Sequence, residues 1–301
     1  MPAIGYLSSR APRESAYIVA AFQKGLRESG FVDGENVTVE SRFAEGNYDR
    51  LPMLAADLVR RRINLLVATG GSVSAVKAKT VVPATMPMVF AAGGDPVRLG
   101  IVASLSRPGG NITGISFLVK DLSAKCVELL HELVPNGDVI GFLRNPQDPS
   151  AMADRKEVQA AADAFGKRLV VVQAASESEI DAAFVTLAQH RVAALLVSGE
   201  PLLADLRDKV VRLADQHSVP AVYQVREFAD AGGLAVYGAN IGEANRRLGV
   251  LAARVLKGAN PAEVPVEQLD RFELIINLKT AKKLRLSIPA TILIRADQVI
   301  E

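Results

Sequence analysis

Residues 49–79 read DRLPMLAADLVRRRINLLVATGGSVSAVKAK, and this stretch decides the architecture. Leu51, Leu54 and Leu58 lie at helical spacing, which predicts an amphipathic helix over 49–62. Residues 63–68, INLLVA, then run almost wholly apolar, as a strand buried on both faces requires. A four-residue turn, Thr69-Gly70-Gly71-Ser72, opens directly into a helix over 72–79. Helix, doubly buried strand and helix in close succession are the repeating unit of a parallel sheet covered on both faces.

The same rhythm extends in both directions. Upstream, a strand over 4–7 precedes a helix over 14–29, with Ile18, Phe22 and Leu26 in register and Gly30 as its stop, and then a strand over 36–42. Downstream come strands over 88–90 and 112–117. A second series then follows, with helices over 122–133, 151–165, 177–188 and 202–217. It interleaves strands over 139–143, 169–172, 193–197, 221–223 and 234–237. The tail supplies a helix over 242–257, a strand over 272–276 and a helix over 278–284. At roughly 100–200 residues per domain, 301 residues make two domains. The fold class is therefore α/β, with two doubly wound parallel-sheet domains meeting near 117–122.

Composition excludes several classes. The chain is 49% hydrophobic and 23% charged, too apolar for disorder. Its 35 Lys and Arg nearly balance 33 Asp and Glu, and no basic stripe calls for nucleic acid. A single cysteine, Cys126, excludes an internal disulfide and any Cys-rich metal site. No apolar run approaches the ~20 residues of a membrane span, and no signal-peptide pattern follows Met1. On composition alone a cytosolic location is favoured. No G-x-G-x-x-G, P-loop or G-x-S-x-G motif occurs, and His131, His190 and His217 each fall near a helix end, where histidine most often complements the helix dipole or faces solvent. The expectation is no catalytic residue, no metal and no cofactor.

Ligands of open α/β sheets bind beyond the carboxyl ends of the strands. Those ends carry Ser8 and Ser9, then Thr69, Gly70, Gly71 and Ser72, then Gly93 and Asp95. In the second half they carry Asn145, Gly199, Glu200, Tyr223 and Gln224. The Thr69–Ser72 turn has two readings: a carboxylate site on helix N–H groups, or an ordinary cap by Ser72 or Thr69. Asp95-Pro96 is either a helix start or a partner for a ligand ammonium. Asn145-Pro146 and Glu200-Pro201 carry the same ambiguity. Tyr223 either stacks on an aromatic ligand or covers the sheet, and Tyr17 is a second candidate for that stacking.

Residues 90–116, FAAGGDPVRLGIVASLSRPGGNITGIS, resemble a signature of the ABC-transporter substrate-binding proteins, within the tryptophan/tyrosine-receptor-like group. Further similar motifs are Gly34-Glu35-Asn36, Gly232-Gly233-Leu234, Pro265-Val266-Glu267-Gln268, Asn277-Leu278-Lys279-Thr280-Ala281 and the closing Arg295 to Glu301. Arg285 departs from the family's usual Gly. The resemblance implies a type I periplasmic-binding-protein fold, two lobes joined by three crossover strands near 117–122, 237–241 and 270–276. Residues 1–118 with 242–271 would form lobe 1, and 119–241 with 272–301 lobe 2. It further implies a monomeric, non-enzymatic receptor, periplasmic or otherwise extracytoplasmic, whose signal has been trimmed. That receptor would close about a hinge on a small ligand, an aromatic amino acid favoured, and deliver it to an ABC permease. Membrane contact would come only through the permease or a lost lipid anchor. The alternative is a cytosolic small-molecule-sensing domain of the same fold. In the receptor reading Thr69–Ser72 takes the ligand carboxylate, Asp95 with Glu200 takes the ammonium, and Tyr17 and Tyr223 flank a ring.

Overall fold

The computed structural model describes residues 1–117, 122–269 and 272–301. In chain order the elements begin β1 (Ala3–Ser8), α1 (Ala16–Glu28), β2 (Thr38–Phe43), α2 (Leu51–Arg60), β3 (Leu65–Thr69) and α3 (Ser72–Lys79). They continue β4 (Met88–Ala92), β5 (Ile112–Ser116), α4 (Leu122–Leu133), β6 (Val139–Arg144), α5 (Ala151–Ala164), β7 (Arg168–Gln173) and α6 (Glu177–Gln189). Next come β8 (Ala194–Val197), α7 (Pro201–Asp205), α8 (Arg207–Gln216), β9 (Ala221–Val225), α9 (Glu227–Asp230) and β10 (Ala235–Ala239). The last are α10 (Ile241–Leu256), β11 (Glu267–Gln268), β12 (Phe272–Asn277), α11 (Leu278–Lys283), α12 (Ala290–Arg295) and β13 (Gln298–Ile300).

The chain forms two compact units, Met1–Leu118 with Ile241–Asp270, and Val119–Asn240 with Arg271–Glu301. Of the three segments expected to cross between lobes, parts of the first and third fall on 118–121 and 270–271, outside the described residues.

Unit 1 holds a six-stranded sheet in the order β11-β5-β4-β3-β1-β2, every pairing parallel. Strand β3 is buried at all five positions, as its apolar run requires. One face of the sheet packs Ile4, Tyr6, Val67 and Val89 against Phe22 and Leu26 of α1 and Leu248 and Ala252 of α10. Each fully buried Val, Leu, Ile or Phe among them contributes about 1.5–3 kcal/mol. Helices α1 and α10 approach through two glycines. A Cβ on Gly25 would sit 1.9 Å from the Arg246 carbonyl oxygen, and one on Gly249 would sit 2.1 Å from that of Phe22. Only hydrogen fits there.

Unit 2 holds a seven-stranded sheet in the order β13-β12-β10-β9-β8-β6-β7. Here the all-parallel expectation needs correction, because β12 runs antiparallel to β10, with Ala235 opposite Ile276. Strand β12 arrives from unit 1 instead of through a covering helix, so no right-handed βαβ connection dictates its direction. The helix expected over 202–217 is also two helices. Leu206 leaves helical geometry at φ −97, ψ 19, and Arg207 Nη1 donates to the Ala204 carbonyl at 3.1 Å, taking up an acceptor freed by the break. Short α9, α12, β11 and β13 have too few residues to show a period in sequence.

Candidate functional site

On unit 1 the strand ends converge around β3. The Thr69–Ser72 turn is glycine-dependent: Gly70 and Gly71 sit at φ 75 and 99, where other residues are strained. A Cβ on Gly70 would also lie 2.6 Å from Ser8 Oγ. Ser9 Oγ donates to the Gly70 carbonyl and so braces this turn, while Ser8, the last residue of β1, accepts the Arg10 N–H at 3.2 Å through its Oγ.

Both capping readings of the turn are corrected. The residue before α3 is Gly71, and no side chain caps the helix. Thr69 Oγ1 donates instead to Asn245 Oδ1 of α10 at 2.8 Å, and Ser72 Oγ accepts from the Gly94 N–H at 2.8 Å. Geometry diverts both hydroxyls: Thr69 is still in the strand, and Ser72 points across to the β4 end. The N–H groups of Ser72 and Val73, both largely buried, are therefore left without an acceptor among the described residues. Together with the positive end of the helix dipole, they make a place for an anion.

The neighbouring β4 end is held close by that Ser72–Gly94 bond. The helix expected to start at Asp95-Pro96 is absent, and the segment is a turn. Asp95 Oδ1 accepts from the N–H groups of Val97 at 2.9 Å and Arg98 at 3.1 Å, while Oδ2 has no partner among the described residues. Gly93 lies against the Phe117 ring, where a Cβ would come within 2.8 Å. Tyr17 stands at the start of α1 and is 40% exposed.

On unit 2, Asn145 and Glu200 meet. Asn145 Oδ1 accepts from the Gln147 N–H at 2.9 Å, and its Nδ2 donates to Glu200 Oε2 at 3.2 Å. Glu200 caps α7, accepting from Leu202 N–H at 3.2 Å and Leu203 N–H at 2.7 Å, with Pro201 at the first helical position. The Gly199 N–H donates to Gln224 Oε1 at 3.0 Å. Tyr223 is not at a strand end. Strand β9 runs two residues beyond the expected 223, so Gln224 and Val225 occupy the edge. Tyr223 is 1% exposed and stacks on Phe228, ring centroids 4.4 Å apart.

Sequence reasoning passed over Arg144 and Asn245. Arg144 ends β6, is 5% exposed, and donates through Nη1 to the Ala151 carbonyl, leaving Nε unpartnered. Burial holds its pKa below the usual arginine range, with Arg155 adding to the effect. Its place last in an apolar strand was the available signal. Cys126 is fully buried and its thiol is pushed up to about 12 by desolvation. Among the described residues no cluster of three His, Cys, Asp or Glu offers a metal site, and no helix is long and apolar enough to cross a membrane.

Known proteins are similar to this chain in sequence and in fold. A "Tyrosine-binding protein" of Clostridioides difficile (strain R20291) is 28% identical over 266 residues, 87% of this chain and 75% of the relative. A crystal structure of an ABC domain from Streptococcus pneumonia in complex with L-Trp superposes with a TM-score of 0.90 at 27% identity, covering 99% of both chains. A conserved domain protein from Vibrio cholerae O1 biovar El Tor reaches 0.91 at 23% identity, again over 99% of both, and shows the shared fold. Two mostly parallel α/β sheets with interleaved helices, alike to these neighbours, constitute the type I periplasmic-binding-protein fold. A family model described as "ABC transporter substrate binding protein" matches residues 14–300, and the chain belongs to that family.

Proposed function

We propose that the protein is a non-enzymatic, extracytoplasmic solute receptor that binds an amino acid, an aromatic one favoured, and hands it to an ABC permease. The observation that carries the reading is the uncapped start of α3 beside Asp95. The Ser72 and Val73 N–H groups are donors without acceptors, and Asp95 Oδ2 is an acceptor without a donor. A carboxylate complements the first and an ammonium the second, and an α-amino acid carries both on one carbon. Tyr17 supplies a ring face at the same edge. Similarity to a tyrosine-binding protein and to an L-Trp complex favours the aromatic side chain.

Glu200 and Tyr223, both candidates from sequence, leave this reading. The carboxylate of Glu200 is engaged by α7 and Asn145, and Tyr223 is covered by Phe228. Hinge closure, implied by family resemblance, would follow from a ligand's preference for the closed arrangement.

A thermal-shift screen over the amino acids tests the proposal. A ligand at about 100 times its Kd stabilises by ~2.7 kcal/mol, and aromatic amino acids are expected to give the largest shifts. Asp95→Ala and Thr69→Ala should each weaken the best ligand by about tenfold or more, the first by losing the ammonium partner, the second by loosening the turn. Unchanged affinity in both variants, or silence across the whole screen, overturns the reading.

A further inference from the structure

A cavity of about 400 Å³ lies within unit 2, away from the strand ends described above. Val219 and Ala221 enter β9 there, Gly232 and Gly233 lead into β10, and antiparallel β12 finishes there at Asn277. This is the amino-terminal edge of the parallel strands, the opposite edge from Gly199 and Gln224.

Two buried polar side chains open onto this cavity without a partner. Tyr223 is 1% exposed, and its hydroxyl makes no hydrogen bond among the described residues. Asn277 is 5% exposed; its Oδ1 caps α11 by accepting from the Thr280 N–H at 3.1 Å, while its Nδ2 donates to nothing. Solvent reaches both atoms through the cavity and neither has a protein partner among the described residues, so an occupant of the cavity can take both bonds.

The surroundings define its chemistry. Asn277 Nδ2 is a donor only, and a phenol donates readily, so the occupant presents acceptors. Arg212, Lys279 and Lys283 stand at the rim against Asp208 and Asp215, a balance of one positive charge. None of the three cations forms an ion pair among the described residues. Val211, Ala214, Leu234 and Leu284 give the cavity apolar walls. We propose that this cavity is a second ligand site, independent of the strand-end site, for a small carboxylate with a compact apolar body. Its carboxylate accepts from Asn277 Nδ2 and Tyr223 Oη.

Benzoate is a suitable probe, titrated calorimetrically into the full chain. Saturable binding is expected in the micromolar to millimolar range. Tyr223→Phe and Asn277→Asp should each weaken it about tenfold, the value of one lost hydrogen bond in a buried site. Asn277→Asp keeps the cap on α11 and reverses only the group facing the ligand. The Tyr223→Phe protein without ligand should melt no lower than the parent, because its missing hydroxyl had no partner. Lys283→Gln, an exposed change that leaves the fold alone, should weaken benzoate measurably. Absence of saturable binding overturns the proposal. So does benzoate binding of parental strength in Tyr223→Phe and Asn277→Asp, which would place the anion elsewhere or leave the cavity to water only.

Discussion

The hydrogen bond between Thr69 and Asn245 joins residues 176 positions apart, and it ties the β3 turn to a helix that the chain reaches only after building most of unit 2. Thr69→Val keeps the shape of the side chain and removes the donor. Both residues are 1% exposed, so no water replaces the lost hydroxyl. Asn245 Nδ2 keeps its bond to the Ile241 carbonyl at 2.9 Å, but Oδ1 becomes a buried acceptor with no donor. Such a group costs about 1–3 kcal/mol, and the added methyl returns up to ~0.8 kcal/mol. A net loss of about 1–2 kcal/mol follows, which lowers Tm by roughly 2–8 °C for units of ~150 residues. Urea unfolding followed by circular dichroism should show a lower midpoint at unchanged slope. Asn245→Leu and the double variant complete a cycle. The double variant should be less destabilised than the sum of the singles by about 1 kcal/mol, since the second change removes an already broken bond. Additivity within ~0.5 kcal/mol would refute the coupling, as would a Thr69→Val protein of parental stability.

Three further outcomes are expected. Gly249→Ala should destabilise by about 2–3 kcal/mol, because its Cβ meets the Phe22 carbonyl at 2.1 Å; on an uncrowded helix the same change stabilises by ~1 kcal/mol, so the sign in a denaturation experiment decides. Hydrogen bonds from Arg246 and then Arg247 pull Glu243 down to about 2 from 4.5. Its contribution is therefore present above pH 4.5 and lost as pH falls toward 2, modestly because the side chain is 35% exposed. Glu243→Gln should flatten acid melting curves in that window, and an unchanged curve counts against the network. The Cys126 thiol, buried and raised to about 12, should resist a thiol reagent at pH 8 in the native protein and react on unfolding.

Much of the architecture was legible because it depends on local pattern. Residues 72–79 were read as a helix and are one; the unbroken burial of β3 follows from its apolar run. The antiparallel β12 was not legible, since a strand's direction depends on the route by which the chain arrives and not on its own residues. The split at Leu206 escaped for a related reason: apolar spacing continues through it, while the backbone does not. Among candidate site residues, position after a strand correctly located Ser8, Ser9, Thr69, Ser72 and Asp95 at one edge of the unit 1 sheet. It misplaced Tyr223, because an error of two residues in a strand's end turns an edge residue into an interior one.

Hydroxyl and carboxylate partners lay beyond sequence altogether. Thr69 and Ser72 looked like caps, and only their distances to Asn245 and Gly94 show that α3 begins uncapped. By itself the sequence determined an α/β chain in two parts, the family through its ordered motifs, and a set of polar strand ends. The tertiary structure decided which of those polar groups are already satisfied and which remain open to a ligand. Alternation of apolar residues is a local property that propensity and burial enforce along the chain. A hydrogen-bond partner is whatever the fold brings within 3 Å, and for Thr69 that partner is 176 residues away.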